Sequence, residues 1–219
     1  MESLNERNNF IYLTCALVTL LVSSALIDMA PPGLAHRLLQ CVVLGTYVVA
    51  YLSLNFGIVW RRFVAAMVVA LLVSNAAHES IQWQFSGALD LMIMLTFFTG
   101  VAVFAARRVL FSGVVNLNTI VGSLAIYLLL GLMWACLYLL ALEFSAAAFN
   151  GIEYQNWTDN FPVATYFSYV TLTSLGYGEI SPAEPVSRVL VYLEAITSMF
   201  YMAIVVASLI NARNTSNSH

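Results

Sequence analysis

The chain has 219 residues, of which 61% are hydrophobic and 9% are charged, and its formal net charge is -3. Soluble proteins have roughly 45–50% apolar and about 25% charged residues, so this composition excludes a soluble globular domain and indicates an integral membrane protein. No cluster of basic residues is larger than a pair, and we therefore expect no nucleic-acid partner.

Six apolar segments are long enough to cross the hydrocarbon core as helices, which takes about 20 residues. In chain order the predicted spans are Phe10–Ile27, Leu38–Gly57, Phe63–Ile81, Ala88–Ala106, Asn118–Leu142 and Val186–Ile210. Pro31, Pro32 and Gly33 are expected to separate the first two spans, and Trp60-Arg61-Arg62 the next two. We predict a four-helix domain over residues 1–110 and a second domain over residues 111–219.

The arginines predict the orientation, because the chain contains no lysine. With both termini in the cytoplasm, six arginines lie inside and two outside, the direction that the positive-inside rule requires. The fourth predicted span has no arginine within it, and Arg107 and Arg108 only follow it. A voltage sensor needs regularly spaced arginines in this helix, so we expect no steep voltage dependence.

Between Glu143 and Val186 the sequence first becomes polar, then apolar and aromatic, and ends in TLTSLGYGEISP at residues 171–182. Pro162 fits the first turn of a short helix, which Asp159 or Asn160 is expected to cap. A helix that ends near Thr173 is too short to span the bilayer. We therefore predict that this segment re-enters the membrane from one side.

The glycines after this short helix predict an irregular backbone, which is tolerated at membrane depth only where protein buries it or where it lines a water-filled cavity. Gly176 and Gly178 can adopt positive φ, so that successive carbonyls turn toward one axis. The carboxyl end of the short helix carries a partial negative charge and favours a cation there. We expect a carbonyl-lined pore, with the side chains of Leu175 and Tyr177 packed against the short helix.

The stretch TLTSLGYGEISP resembles the selectivity-filter signature of the potassium channel family, and residues 118–211 are similar to bacterial two-helix pore domains. The resemblance implies an all-α membrane protein with six transmembrane helices, a re-entrant pore helix and a filter loop, assembled as a homotetramer in the lipid bilayer of the bacterial inner (plasma) membrane. It implies no enzyme activity and no cofactor, with K+ as the permeant ion. The implied selectivity filter is Ser174, Leu175, Gly176, Tyr177 and Gly178, and K+ would bind at the first four of them.

The resemblance also implies filter support by Thr173, Glu179, Tyr166, Phe167 and Glu194. Serine stands at position 174 where the family usually has threonine, and Glu179 replaces the common aspartate. Tyr166 and Phe167 stand where tryptophans often brace the filter. Glu194 lies inside the last span, where an ionisable group is costly. It either has a structural role, hydrogen-bonded to the back of the pore helix, or couples the pore to a gate.

No glycine occurs from Pro182 to His219, so a glycine hinge in the last helix is not expected. A hydrophobic constriction around Met202, Val206 or Ile210 would close the pore by dewetting. The function that fits these residues best is passive, potassium-selective conduction. Two alternatives stay open, namely a weakly selective cation channel and a non-conducting regulatory channel subunit.

Overall fold

The computed structural model describes residues 9–27, 32–54, 57–81, 86–110 and 117–216. These ranges fold into α-helices and one short antiparallel strand pair. The elements in chain order are α1 Asn9–Ile27, α2 Pro32–Ser53, α3 Ile58–Ile81, α4 Ser86–Leu110, α5 Leu117–Phe144, β1 Phe149–Asn150, α6 Trp157–Leu172, β2 Ser181–Pro182 and α7 Pro185–Ser216.

Four described helices are long and apolar enough to cross a membrane. Their candidate spans are Asn9–Leu26, Ser86–Val109, Leu117–Phe144 and Pro185–Ser208. In α2 the apolar stretch Arg37–Ser53 is shorter, and α3 carries Arg61 and Arg62 close to its start. The all-helical membrane architecture is therefore supported, while the count of six spans stays a prediction.

Two of the predicted helix boundaries were wrong. Helix α2 begins at Pro32, which we had expected to separate two helices. The first helical position tolerates proline because its missing N–H would have no partner in the helix. Helix α3 begins at Ile58, so Trp60 and Arg61 are helical rather than a connection. Helix α2 ends at Ser53, and Gly57, with a φ of 93°, directly precedes α3.

Contacts between neighbouring helices show which ends of α4 and α5 lie together. Gly87 at the start of α4 lies against the side chain of Glu143 at the end of α5. Gly122 near the start of α5 lies against Val109 at the end of α4. Helices α4 and α5 are therefore antiparallel, and their ends define two opposite faces of the molecule.

Helix α5 lies at the centre of the helix bundle, whereas α7 lies largely on the surface of the single chain. In the candidate span of α5, 56% of the residues are buried, compared with 11% in α7. One cluster of buried apolar side chains runs from Phe10 in α1 to Ile180 after α6. It crosses the predicted boundary at residues 110 and 111, and the division into two domains there stays a prediction.

Candidate functional site

The short helix predicted in the last part of the chain is α6, Trp157–Leu172, with 16 residues. It begins earlier than predicted, with Asn156 rather than Asp159 or Asn160 at the capping position, and Asn156 makes no side-chain cap hydrogen bond. Pro162 consequently lies in the second turn, not the first. Asp159 occupies the first turn, where its charge interacts favourably with the positive end of the helix dipole.

At its other end α6 closes with a Schellman motif. The N–H of Ser174 donates to the Thr171 carbonyl (3.0 Å), and the N–H of Leu175 donates to the Val170 carbonyl (2.9 Å). This pair of hydrogen bonds requires a left-handed residue after the cap, a position that glycine usually takes. Here it is Ser174, with a φ of 59°. The sequence analysis missed this conformation, because serine in a helix-to-loop transition does not by itself predict it.

The left-handed conformation then repeats at every second residue. Ser174, Gly176 and Gly178 have φ values of 59°, 57° and 93°, whereas Leu175 and Tyr177 do not have positive φ. Positive φ was predicted at both glycines, and the structure confirms it there. A chain that alternates between conformations of opposite hand turns successive carbonyl groups toward the same side. This backbone lies directly beyond the negative end of the α6 dipole, which favours a cation.

The side chains between these positions are largely exposed on the single chain. Leu175 is 54% exposed and Tyr177 is 68% exposed. Their expected packing against the short helix stays a prediction. Exposed apolar side chains that lie close together mark a surface that another molecule covers.

Behind α6, Glu194 of α7 joins three helices through hydrogen bonds. Its side chain is fully buried, with 0% exposed. Ser168 of α6 donates to Glu194 Oε1 (2.6 Å), and Tyr138 of α5 donates to Glu194 Oε2. Ser168 Oγ also lies 2.8 Å from the Gly131 carbonyl of α5. Glu194 is therefore hydrogen-bonded to the back of the short helix, as its predicted structural role requires, and its coupling to a gate stays an open prediction.

The carboxyl end of α6 is fixed by hydroxyl groups from both neighbouring helices. Tyr127 of α5 and Ser198 of α7 donate to the Leu172 carbonyl at 3.1 Å and 2.5 Å. Tyr169 of α6 donates to the Leu128 carbonyl at 2.6 Å. The sequence analysis did not single out these tyrosines. The sequence did contain a signal for them: a tyrosine inside an apolar span needs a hydrogen-bond partner for its buried hydroxyl.

At the outer end of the loop, Tyr166 of α6 donates a hydrogen bond to Glu179 Oε1 (2.5 Å). This hydrogen bond, together with partial desolvation and the nearby negative charge, raises the pKa of Tyr166 to about 12. The hydroxyl therefore keeps its proton and remains a donor throughout the neutral range. Glu179 also approaches the turn after β1, where a Cβ at Gly151 would meet the Glu179 carbonyl oxygen.

Phe167, the second expected brace, packs against aromatic rings of α5 and β1. The distances between ring centroids are 5.1 Å to Tyr138 and 5.5 Å to Phe149. Phe149 belongs to β1, which pairs with β2 in the register Phe149 with Pro182. Thr173, another expected support, bonds back to the Tyr169 carbonyl (2.6 Å). Filter support by these two residues stays a prediction.

The predicted gate residues lie far along α7 from the loop. Met202 is 49% exposed and Val206 is 50% exposed. At 100° per residue, Met202 lies about 40° and Val206 about 80° around α7 from Ser198, which faces α6. The side chain of Ile210 lies outside the described part of the structure. Within the described residues, no group of three or more His, Cys, Asp or Glu side chains converges on a point.

The Tyr166 hydrogen bond predicts a measurable effect on the loop. In Tyr166→Phe the ring remains and the hydroxyl is lost, so Glu179 loses its donor from α6. We expect ion flux through the reconstituted protein to decline faster with time than in the wild type, because the outer end of the loop is less well fixed. Repeated flux measurements on proteoliposomes test this, with Tyr154→Phe as a control at an exposed loop tyrosine that bonds Glu143 instead. Equal decay rates for all three proteins would contradict the proposed bracing.

Two membrane-crossing helices, α5 and α7, flank a short helix and an irregular loop, and this arrangement defines a two-helix pore unit. Residues 117–213 match the family model described as an ion channel. The match covers α5, α6, the loop and most of α7, and it supports passive ion conduction by this part of the chain. No curated protein and no solved structure matched the chain. The second half of the chain is thus similar to an ion channel domain.

Proposed function

We propose that this protein is a potassium-selective channel and that Ser174, Leu175, Gly176, Tyr177 and Gly178 form its selectivity filter. The observation that carries the proposal is the alternation of φ at Ser174, Gly176 and Gly178 directly after α6. Carbonyl oxygens from such a backbone replace the hydration shell of K+ when several copies surround one axis. K+ binds at Ser174 through Tyr177, with the Ser174 hydroxyl in the innermost ring.

Four copies of the chain form the pore, because one chain supplies only a quarter of a carbonyl ring. The exposure of Leu175, Tyr177 and most of α7 supports this assembly. Tyr192, Met199 and Phe200 on α7 are also more than half exposed, an apolar surface that a neighbouring copy and lipid together would cover. The six predicted membrane-spanning helices of each subunit lie in the bacterial inner membrane. The arginines predict that both termini are in the cytoplasm.

The gate is a hydrophobic constriction on α7. Met202 and Val206 are four residues apart and therefore lie on one face of the helix. Four copies of these side chains around an axis would form two apolar rings, which exclude water when they are narrow. Ile210 continues the same spacing. Polar substitution at Met202 and Val206 raises the open probability if this constriction is the barrier.

Flux through purified protein in liposomes tests the proposal. We expect K+ efflux that barium blocks, and a reversal potential that follows the K+ gradient when Na+ is present in equal or greater concentration. A reversal potential near zero under the same mixed gradients would instead identify a weakly selective cation channel. The serine at position 174 favours this outcome, since it lacks the methyl group that restricts a threonine rotamer.

The oligomeric state is measured separately, so that a lack of current remains interpretable. Mass measurement of the protein in lipid nanodiscs is expected to give four chains per particle. Intact tetramers without any current would indicate a non-conducting regulatory subunit and contradict the channel proposal. Monomers would contradict the tetrameric pore itself.

A further inference from the structure

A groove of about 480 Å³ lies between α4, α5 and α7, within the membrane-crossing part of all three helices. Its volume falls in the usual range of small-molecule sites, which is roughly 300–1,000 Å³. The residues that matter for its chemistry are Val103 and Ala106 on α4, Leu130 and Met133 on α5, and Phe200 and Ile204 on α7. The groove is thus lined by aliphatic and aromatic side chains from three different helices.

Hydroxyl groups at the groove do not make it a polar site. Thr197 donates to the Leu193 carbonyl of its own helix (2.7 Å), and Tyr201 donates to the Ser123 carbonyl of α5 (2.5 Å). Both donors are already used inside the protein. An occupant at this depth therefore gains from apolar contact rather than from hydrogen bonds, as a hydrocarbon chain does.

One end of the groove carries a positive charge. Arg107 follows the groove residue Val103 by four residues on α4, so it lies at the edge of the groove, about 40° around the helix and about 6 Å beyond Val103 along the axis. Arg107 is exposed. It belongs to the last turn of α4, at the membrane face where α4 ends and α5 begins. An arginine at the surface of the membrane interacts favourably with anionic lipid headgroups.

The carboxylates of a second copy whose positions the contacts fix do not lie at the level of Arg107. Asp90 and Glu143 lie at the opposite face, marked by the contact of Gly87 with Glu143. Glu184 bonds Ser145 just beyond the end of α5, again at that opposite face, and Glu194 is buried behind α6. A phosphate group supplied by the membrane itself complements Arg107 better than another subunit does.

We propose that this groove binds one acyl chain of an anionic phospholipid whose phosphate contacts Arg107. On α7 the groove residues Phe200 and Ile204 lie on the side of the helix opposite to Met202 and Val206. The occupied groove would thus support α7 from behind without entering the passage. The inference does not depend on potassium selectivity, because lipid retention is measured without any current.

The test uses the full chain extracted from membranes that contain phosphatidylglycerol and a zwitterionic phospholipid. Lipid that remains bound after purification is quantified by mass spectrometry for wild type, Val103→Trp and Arg107→Gln. The indole of Val103→Trp fills the groove, and we expect the retained phospholipid to fall to background. In Arg107→Gln the preference for phosphatidylglycerol is expected to fall about fivefold, the order that one arginine beside an anionic surface contributes.

Matched controls separate the groove from the general lipid-facing surface. Val69→Trp changes an exposed valine of α3, and Arg62→Gln removes an exposed arginine near the start of the same helix. Both are expected to retain phosphatidylglycerol as the wild type does. Equal retention in Val103→Trp and wild type would overturn the proposal. A disulfide between cysteines placed at position 103 of one subunit and on the surface of another would also overturn it, because a neighbouring subunit would then cover the groove.

Discussion

Replacing Gly178 by alanine is expected to abolish K+ flux while the protein still folds and inserts. The φ of Gly178 is 93°, beyond the small left-handed region near 50–70° that residues with a Cβ can enter. No atom of the same chain lies within 4 Å of a Cβ added there, so the effect comes from the backbone and not from a collision. A left-handed residue with a Cβ costs roughly 1–2 kcal/mol, and the cost recurs in each of the four proposed subunits.

Gly176→Ala is expected to have a smaller effect than Gly178→Ala. The φ of Gly176 is 57°, close to the 59° that Ser174 already adopts with a Cβ. Gly45→Ala serves as the control, because an added Cβ at this helical glycine of α2 also meets no atom within 4 Å. It should conduct normally and gain about 0.5–1 kcal/mol in helix stability. Full flux in Gly178→Ala, measured at matched protein content in liposomes, would show that this backbone does not line the passage.

Glu194→Ala is expected to destabilise the protein by about 2–5 kcal/mol. The substitution removes the acceptor for Tyr138 and one of the two acceptors for Ser168, and a buried hydroxyl left without a partner costs roughly 1–3 kcal/mol. A cavity adds to this cost, because Glu194 is fully buried. Thermal unfolding of the purified protein in detergent, followed by the loss of its oligomer, measures the effect.

Glu194→Gln is the informative companion, because it tests how the protons in this network are arranged. Ser168 has one proton but two acceptors, the Gly131 carbonyl and Glu194 Oε1, at 2.8 Å and 2.6 Å. The amide of a glutamine keeps an acceptor for Tyr138 and can donate to Ser168 Oγ, which then donates to the Gly131 carbonyl. We therefore expect Glu194→Gln to be close to wild type in stability. Equal stability of Glu194→Ala and Glu194→Gln would contradict the bridging role.

Which segments form spanning helices, and roughly where they lie, was predictable because this depends on the apolar composition of each segment alone. The spans at α1, α4, α5 and α7 follow from long apolar runs with few charges, and the short α6 follows from its length and from the break at the glycines. Boundaries were less predictable. Pro32 begins a helix, and Trp60 is buried in one against Phe104, at 4.9 Å between ring centroids, because packing across helices outweighs the local sequence signal.

The sequence by itself determined that this protein lies in a membrane, that a short helix precedes an irregular loop, and that Gly176 and Gly178 take positive φ, because these properties depend on residues close together in the chain. Only the tertiary structure decided that Ser174 joins the same alternation and that Glu194 bonds Tyr138 and Ser168. It also decided that Phe167 packs against Tyr138 and Phe149 while Tyr166 reaches Glu179. Hydrogen bonds between α5, α6 and α7 join residues far apart in sequence, and their geometry exists only once these helices are in contact.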